Sequence, residues 1–314
     1  MDKIKLGVSS CLLGNPVRFD GGHKHQKFIT GTLSQYFDLI AICPEMAIGL
    51  GSPRQSLRLV GDPERPRVIG NKDPSLDVTR DLQRYGQRVA DELDDICGYI
   101  VKKDSPSCGL ARVRVYVDGR MPQREGVGVF TKALTQAKPW LPVEEEGRLN
   151  DPVLRENFFE RVYVLHRWHT LQAKGLTPAG LVQFHTSHKY MLMSRGQKFY
   201  RELGRMVAQA GNETLDVLAE RYFLALMQAM KQPANRRRHS NVLYHLLGYF
   251  KRELPGRDRQ ELAGLIETYR QGLVPLVVPV TVLKHHLGRV SSSYLHGQYY
   301  FDPYPQGLSL RNSI

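Results

Sequence analysis

Long apolar runs are missing from this chain of 314 residues: although 41% are hydrophobic, no stretch approaches the roughly 20 consecutive apolar residues of a membrane-spanning helix. No membrane association is expected. Signal-peptide character is missing too. The start, MDKIKLGVSSCLLG, runs into a Gly-Asn-Pro turn without a longer apolar region or a small-residue cleavage site, so a cytoplasmic location is expected. Cysteine is scarce, four in all, which excludes a disulfide-rich scaffold; in a reducing compartment such thiols serve as ligands, catalysts or core residues. Repeats of fixed period and low-complexity tracts are absent, which sets aside solenoids and biased linkers.

Acidic residues are in short supply in one half only. Residues 1–150 hold 22 Lys+Arg against 19 Asp+Glu, and residues 151–314 hold 22 against 12, so net charge is +3 in the first part and +10 in the second. The length favours two domains. A near-neutral half beside a basic half suits one domain that does chemistry and one that holds a polyanion, although a merely soluble basic surface would give the same imbalance.

The first half alternates short β-branched runs with amphipathic segments, the pattern of an α/β, Rossmann-like domain with a parallel sheet. Ile4 to Ser9, Phe37 to Ile42 and Gly98 to Lys102 read as buried strands. Leu82, Tyr85, Val89 and Leu93 recur at helical spacing and predict a helix from about Leu76 to Asp95. A further strand, Val113 to Val117, ends at an Asp118-Gly119 turn. The stretch from Lys138 to Pro152, with three prolines and the run Glu144-Glu145-Glu146, reads as a seam between domains 1–148 and 151–314. Beyond it strands almost vanish. Asp151-Pro152 and Thr177-Pro178 are helix-opening pairs, and Gly196 to Ala210, Glu213 to Lys231, Asn235 to Glu253 and Arg257 to Gln271 carry helical periodicity. The C-terminal domain is expected to be all-α.

Cys11 and Cys43 each follow the carboxyl end of a predicted strand, and Cys108 lies in the loop after another. Ligands of open α/β sheets bind at those ends, so thiols 32 and 65 positions apart can converge. Cys97 precedes its strand and reads as a buried, inert thiol at the opposite edge. Placement alone leaves two readings: three core cysteines, or three ligands of an iron-sulfur cubane that leave one iron open. The segments VSSCLLG, CPEMAIGLGSPR and KKDSPSCG surround the thiols with Gly, Pro and Ser, suited to tight turns and free backbone N–H groups. Glu45 and Ser105 stand close by in sequence, as loop caps or as reactive groups.

Together these three segments closely resemble the 2-thiouracil desulfidase family, over roughly residues 1 to 148. The resemblance implies a [4Fe-4S] cluster with one open iron site on Cys11, Cys43 and Cys108, with Glu45 and Ser105 as acid/base and positioning groups. Residues 151 to 314, through RENFFERVYVLHRW and QFHTSHKYMLMS, resemble the YbgA-type helical domain. Fused forms of the two are linked to removal of sulfur from 4-thiouridine in tRNA. One departure stands out: many relatives carry a further cysteine where this chain has Val17, in Val17-Arg18-Phe19-Asp20-Gly21.

The implied reaction is hydrolytic removal of sulfide, so no nicotinamide or nucleotide cofactor is expected. Thiolated tRNA would be the partner; the sequence names no protein partner. For RNA binding the candidates are Arg236, Arg237 and Arg238, with Lys251 and Arg252 further along, and a second stretch around Lys189, Arg195 and Lys198 interspersed with His185, His188 and Tyr190. A solvated helix face would look the same. Two other readings remain: a desulfidase of free thiouracil bases whose helical domain serves assembly, and a non-catalytic RNA-binding protein whose cysteines hold zinc or nothing.

Overall fold

In the computed structural model, residues 3–312 are described apart from 118, 252, 289, 291 and 309, so the expectations placed on Asp118 and Arg252 lie outside the described residues. The chain divides into two compact units, Met1–Asn150 and Asp151–Ile314.

Among the described residues, the first unit contains eight strands: β1 (Ile4–Ser9), β2 (Phe37–Ile42), β3 (Leu57–Val60), β4 (Arg67–Gly70), β5 (Tyr99–Val101), β6 (Val113–Tyr116), β7 (Gln123–Gly126) and β8 (Val143–Glu145). They form two sheets. Sheet A has the order β2-β1-β5-β8 and is parallel throughout, with Ile4 opposite Phe37, Gly7 opposite Tyr99 and Tyr99 opposite Val143. Its strands are short runs with Leu6, Val8, Tyr99, Ile100 and Val101 wholly out of water, as expected where helices cover a parallel sheet. The chain leaves β1 for β2 on one side and later returns to β5 on the other. Strand order therefore reverses at β1, and the crevice such a reversal leaves lies beyond the carboxyl ends of β1 and β5. Sheet B, order β4-β3-β6-β7, mixes one parallel pair with two antiparallel ones; of its strands only β6 was expected from the sequence. Helices α1 (Pro44–Ala47), α2 (Thr79–Glu92) and α3 (Val129–Ala137) complete the unit. The predicted helix over residues 76–95 is α2, which buries Leu82 and Val89.

The acidic run expected at a seam is instead part of the core. Glu144 and Glu145 sit in β8, and Glu144, Glu145 and Glu146 are only 7%, 7% and 8% exposed. Each carboxylate has partners: Glu144 takes Arg148 Nε (2.6 Å), Glu145 accepts from the backbone of Leu110 (2.9 Å) and Ala111, and Glu146 takes the Lys102 ammonium and Lys103 N–H. Burying charge is costly unless it is paired and hydrogen-bonded, and these partners come from residues 102–111 and from the 3₁₀ turn Arg148–Asn150.

The second unit is helical: α4 (Pro152–Ala173), α5 (Pro178–Arg195), α6 (Gln197–Val207), α7 (Leu215–Met230), α8 (Arg236–Tyr249), α9 (Gly256–Arg270), α10 (Val277–Leu287) and the short α11 (Ser293–His296). The two predicted caps act as such, Asp151 accepting from Val153 and Leu154 N–H and Thr177 from Gly180 N–H. The apolar stripe of α4 is buried from Phe158 to Trp168, whose ring stacks on Phe223 at 5.1 Å.

Candidate active site at the rim of sheet A

Three loops leave the carboxyl rim of sheet A and each delivers one thiol. After β1 the chain tightens into a short 3₁₀ turn, Ser10–Leu13, closed by Gly14 at φ +97°, a conformation that suits glycine. The Cys11 carbonyl there also accepts from Lys24 N–H at 2.8 Å, tying the following loop down. After β2, Cys43 stands at the amino end of α1, whose first residue is Pro44. After β5, residues 102–109 fold back and are caught by the start of α3. Pro106 and Ser107 carbonyls accept from Val129 and Phe130 N–H, and the Cys108 carbonyl accepts from Thr131 Oγ1 at 2.6 Å. Gly128 permits this close approach: a Cβ there would lie 2.5 Å from the Ser107 oxygen and 2.7 Å from the Cys108 nitrogen.

Cys11, Cys43 and Cys108 line one cavity of about 370 Å³, together with Glu45, Arg54, Ser105, Arg18, Val17 and Lys103 among others. Cys97 is absent from that lining. It lies before β5, 2% exposed, with its N–H bonded to the Lys5 carbonyl at the amino end of β1, as expected for an inert thiol. Burial pushes the Cys11 thiol up to about 11, raises Cys43, and holds Cys108 well above the ordinary thiol range, where Glu45 and the neighbouring cysteines add to the effect. At neutral pH all three are protonated until a cation displaces the protons. Among the described residues no three His, Cys, Asp or Glu side chains are grouped to hold a single metal ion. In a cubane each thiolate binds a different iron, so its ligands need not meet at one point. Three soft thiol donors around one cavity fit such a cluster.

Glu45 is held on both of its carboxylate oxygens. Its Oε2 accepts from Arg54 Nε at 2.9 Å and from Arg54 Nη2 at 2.5 Å, and its Oε1 accepts from Ser107 Oγ at 2.8 Å. Arg54 is anchored in turn on the carbonyls of Gly51 and Val17, and its side chain is 7% exposed against 14% for Glu45. Two guanidinium donors on one carboxylate oxygen and a hydroxyl on the other set orientation as well as charge. Ser105 lines the cavity, but its hydroxyl oxygen accepts from Cys108 N–H (3.1 Å) and Ser107 N–H (3.3 Å). It shapes the loop that carries Cys108. Ser107, which no sequence signal singles out, is the hydroxyl that meets Glu45, and Arg54 turns out to hold that carboxylate. The run Ser105-Pro106-Ser107-Cys108 offers two equivalent hydroxyls to inspection, and only the fold separates them.

In the second unit the expected RNA contacts part company. Arg236 and Arg237 are exposed and Arg238 is half-buried, in the first turn of α8, which Asn235 caps. Lys189 is half-buried, its ammonium 5.4, 5.5 and 5.9 Å from the ring centres of Tyr190, Tyr294 and Tyr200. The residues around it do not form the exposed stacking surface that their sequence suggests. His188 and Tyr190 are 1% exposed, His188 bonded to the Phe184 carbonyl at 2.7 Å, and Arg195 is 2% exposed and paired with Glu160. Burial drives His185 down to about 4 and His188 to about 3, so both are neutral, His188 within the core and His185 half-buried. Helix α5 turns these groups inward; Lys198, beyond its end, is exposed.

A parallel sheet with three thiols and a clamped carboxylate at its carboxyl rim, followed by a helical unit, defines a sulfur- or metal-handling α/β domain fused to an all-α partner. Residues 6–146 match the family described as 2-thiouracil desulfurase, and residues 189–305 match a family described as a protein of unknown function, DUF1722. A stretch of 154 residues, 49% of this chain, is 36% identical to "Uncharacterized protein YbgA" of Escherichia coli (strain K12) and covers 91% of that protein. Among solved structures, a "[4Fe-4S]-dependent thiouracil desulfidase TudS" is 30% identical over 48% of this chain and 95% of its own, with a TM-score of 0.38. The chain belongs to the YbgA family, and joins a YbgA-type domain to a domain of the thiouracil desulfurase family. Among the described residues no helix is long and apolar enough to cross a membrane.

Proposed function

We propose that this protein removes sulfur from a thiolated pyrimidine with a [4Fe-4S] cluster held by Cys11, Cys43 and Cys108, and that its substrate is 4-thiouridine in tRNA, converted to uridine with release of sulfide. The observation that carries the reading is the convergence of these three thiols, with the Arg54-held Glu45, on one cavity. A cluster with three protein thiolates leaves one iron open, and that iron would supply Lewis acidity toward the soft thiocarbonyl sulfur. The protein's own groups do the rest. Glu45, oriented by Arg54 and Ser107, keeps acceptor sites on its oxygens to take a proton from water as it adds to the thiocarbonyl carbon. The adduct expels sulfur and regains a carbonyl: C=S and H₂O become C=O and H₂S, with no change in electron count. Ser105 holds the Cys108 loop, and Val17 and Phe19 supply apolar wall for a pyrimidine ring.

Arg236, Arg237 and Arg238 support the RNA part of the reading. Three guanidinium groups in the first turn of a helix face the positive end of its dipole, an unfavourable arrangement that phosphates would relieve. The test is anaerobic reconstitution followed by incubation with thiolated tRNA, reading the loss of thio-base absorbance and the sulfide formed. Turnover of tRNA is expected. A fully loaded protein that leaves 4-thiouridine in tRNA intact but desulfurates free 4-thiouracil would overturn the substrate, and a loaded protein inert on both would overturn the activity. Glu45→Gln is expected to keep the cluster absorbance and lose about 10²- to 10⁴-fold in kcat, the usual worth of a positioned acid/base group.

A further inference from the structure

Sheet B carries a feature that the sulfur chemistry does not use. Along β6 the side chains alternate, Val113 and Val115 buried, Arg114 and Tyr116 exposed. Arg114 lies directly opposite Arg124 of β7. On the other side Leu59 pairs with Val115, and one step back along these parallel strands Arg58 of β3 is level with Arg114. Three arginines thus occupy one rung on three adjacent strands, spaced by about 4.8 Å per strand. Like charges directly opposite one another in a sheet are destabilising. The nearest carboxylate, Asp104, is 3.9 Å from Arg124 with both side chains more than half exposed. Among the described residues Arg58 and Arg114 have no ion pair, and Arg58 Nε is buried without a hydrogen-bond acceptor while its guanidinium lies 5.7 Å from the centre of the Tyr116 ring.

We propose that this rung is a phosphate cradle for the RNA strand whose thiolated base enters the sulfur-lined cavity; the inference rests on the RNA reading given above and locates the strand on the first unit itself. Arg58, Arg114, Arg124, Tyr116 and Asn71 line a second cavity of about 370 Å³, and Leu57, Asp104 and Pro106 belong to the walls of both cavities. A base in the first cavity therefore leaves its flanking backbone over the second. Arginine suits the task because its planar fork binds phosphate oxygens in pairs. Tyr116, 38% exposed, offers a ring face for stacking a neighbouring base.

The experiment uses the full chain with its cluster and two probes, a five-nucleotide RNA with 4-thiouridine at its centre and the nucleoside 4-thiouridine. In the variant R58Q/R114Q/R124Q, KM for the pentamer should rise about tenfold or more at low salt with kcat retained, while nucleoside turnover and cluster absorbance stay as in the wild type. The slope of log KM against log salt should fall by about 2, since each phosphate contact on a single strand contributes about 0.7. R114Q alone, which leaves the flanking arginines in place, should show a partial shift in the same direction. An unchanged KM and slope for the pentamer in the triple variant would overturn the cradle. Should the wild type desulfurate the nucleoside but no RNA, the substrate reading falls, and binding of a fluorescent, unmodified pentamer then decides the cradle: weaker binding in the variant sustains it and equal binding ends it. Inorganic phosphate relieving the pentamer KM difference by competing for wild type alone is expected; equal inhibition of both proteins overturns it.

Discussion

The carboxyl rim of sheet A collects its chemistry from Cys11, Cys43 and Cys108, which are far apart in the chain, whereas the basic patch of the second unit is contiguous, with Arg236, Arg237 and Arg238 on one turn of α8. The rim is over-determined. Each thiol sits in a loop pinned by backbone hydrogen bonds, by a glycine that permits close packing, or by Ser105. The Arg236 guanidinium lies against Gly272 beyond α9, yet Arg236 and Arg237 are exposed and Arg238 is half-buried. A preorganised site of the first kind suits bond-making at one carbon; a loosely held cationic surface of the second kind suits a polyanion read through charge alone. Changes at the rim should therefore be severe and specific, and changes on α8 graded and salt-dependent.

The sharpest break of that contrast would be Cys108→Ala, which should abolish cluster absorbance and turnover together; a variant that still loads a full cluster would show that Cys108 is not a ligand. Next comes Gly128→Ala. Its methyl meets Ser107 and Cys108 backbone atoms, which can yield only by moving the loop, so thermal unfolding should report about 1–3 kcal/mol of lost stability, and cluster content should drop. An unaltered melting profile would mean that the loop is less tightly held than its contacts imply. His188→Leu probes the core of the second unit. His185 and His188 are neutral when folded, at about 4 and 3, but titrate near 6.5 when unfolded. Between those values the unfolded state binds more protons, so the stability they contribute is complete above about pH 6.5 and declines as pH falls through the window. The melting temperature of His188→Leu should fall less between pH 7.5 and 5 than that of the wild type; equal falls would refute a buried neutral His188. The mildest effect is expected for R236Q/R237Q/R238Q. KM for thiolated tRNA should rise several-fold, with a salt slope lower by about 0.7–0.9 for each phosphate that is no longer neutralised, and turnover of free 4-thiouracil should not change. A tRNA KM that stays put would remove α8 from the interface.

Where the chain carries a local signal, the signal holds in the fold. β1 and β2 span the residues that their apolar runs predict, and Asp151 and Thr177 cap helices where Ser/Thr/Asp before proline says they should. The candidate ligands were legible for a related reason: a cysteine at the end of a parallel strand is placed at the rim by topology alone. Burial of charge was less legible. The stretch from Lys138 to Pro152 does contain the division between the units, yet within it Glu144, Glu145 and Glu146 are buried, because Lys102, Arg148 and the backbone of Lys103, Leu110 and Ala111 converge on them. Likewise His188, Tyr190 and Arg195 looked like an RNA-gripping stretch, yet α5 directs them into the core, where the Phe184 carbonyl bonds His188 Nδ1 and Glu160 pairs with Arg195. A titratable residue read in isolation carries no sign of whether a partner waits for it.

Composition and periodicity by themselves determined two units of different class, the strands that lead to each thiol, and which of the four cysteines stands apart. Those depend on neighbours within a few residues, where sequence spacing and spatial spacing agree. Only the folded chain decided that Ser107 and not Ser105 meets Glu45, that Arg54 clamps that carboxylate, and that Arg58, Arg114 and Arg124 share a rung. Such pairings depend on register between strands and on loops closing over tens of residues, and no local propensity encodes either.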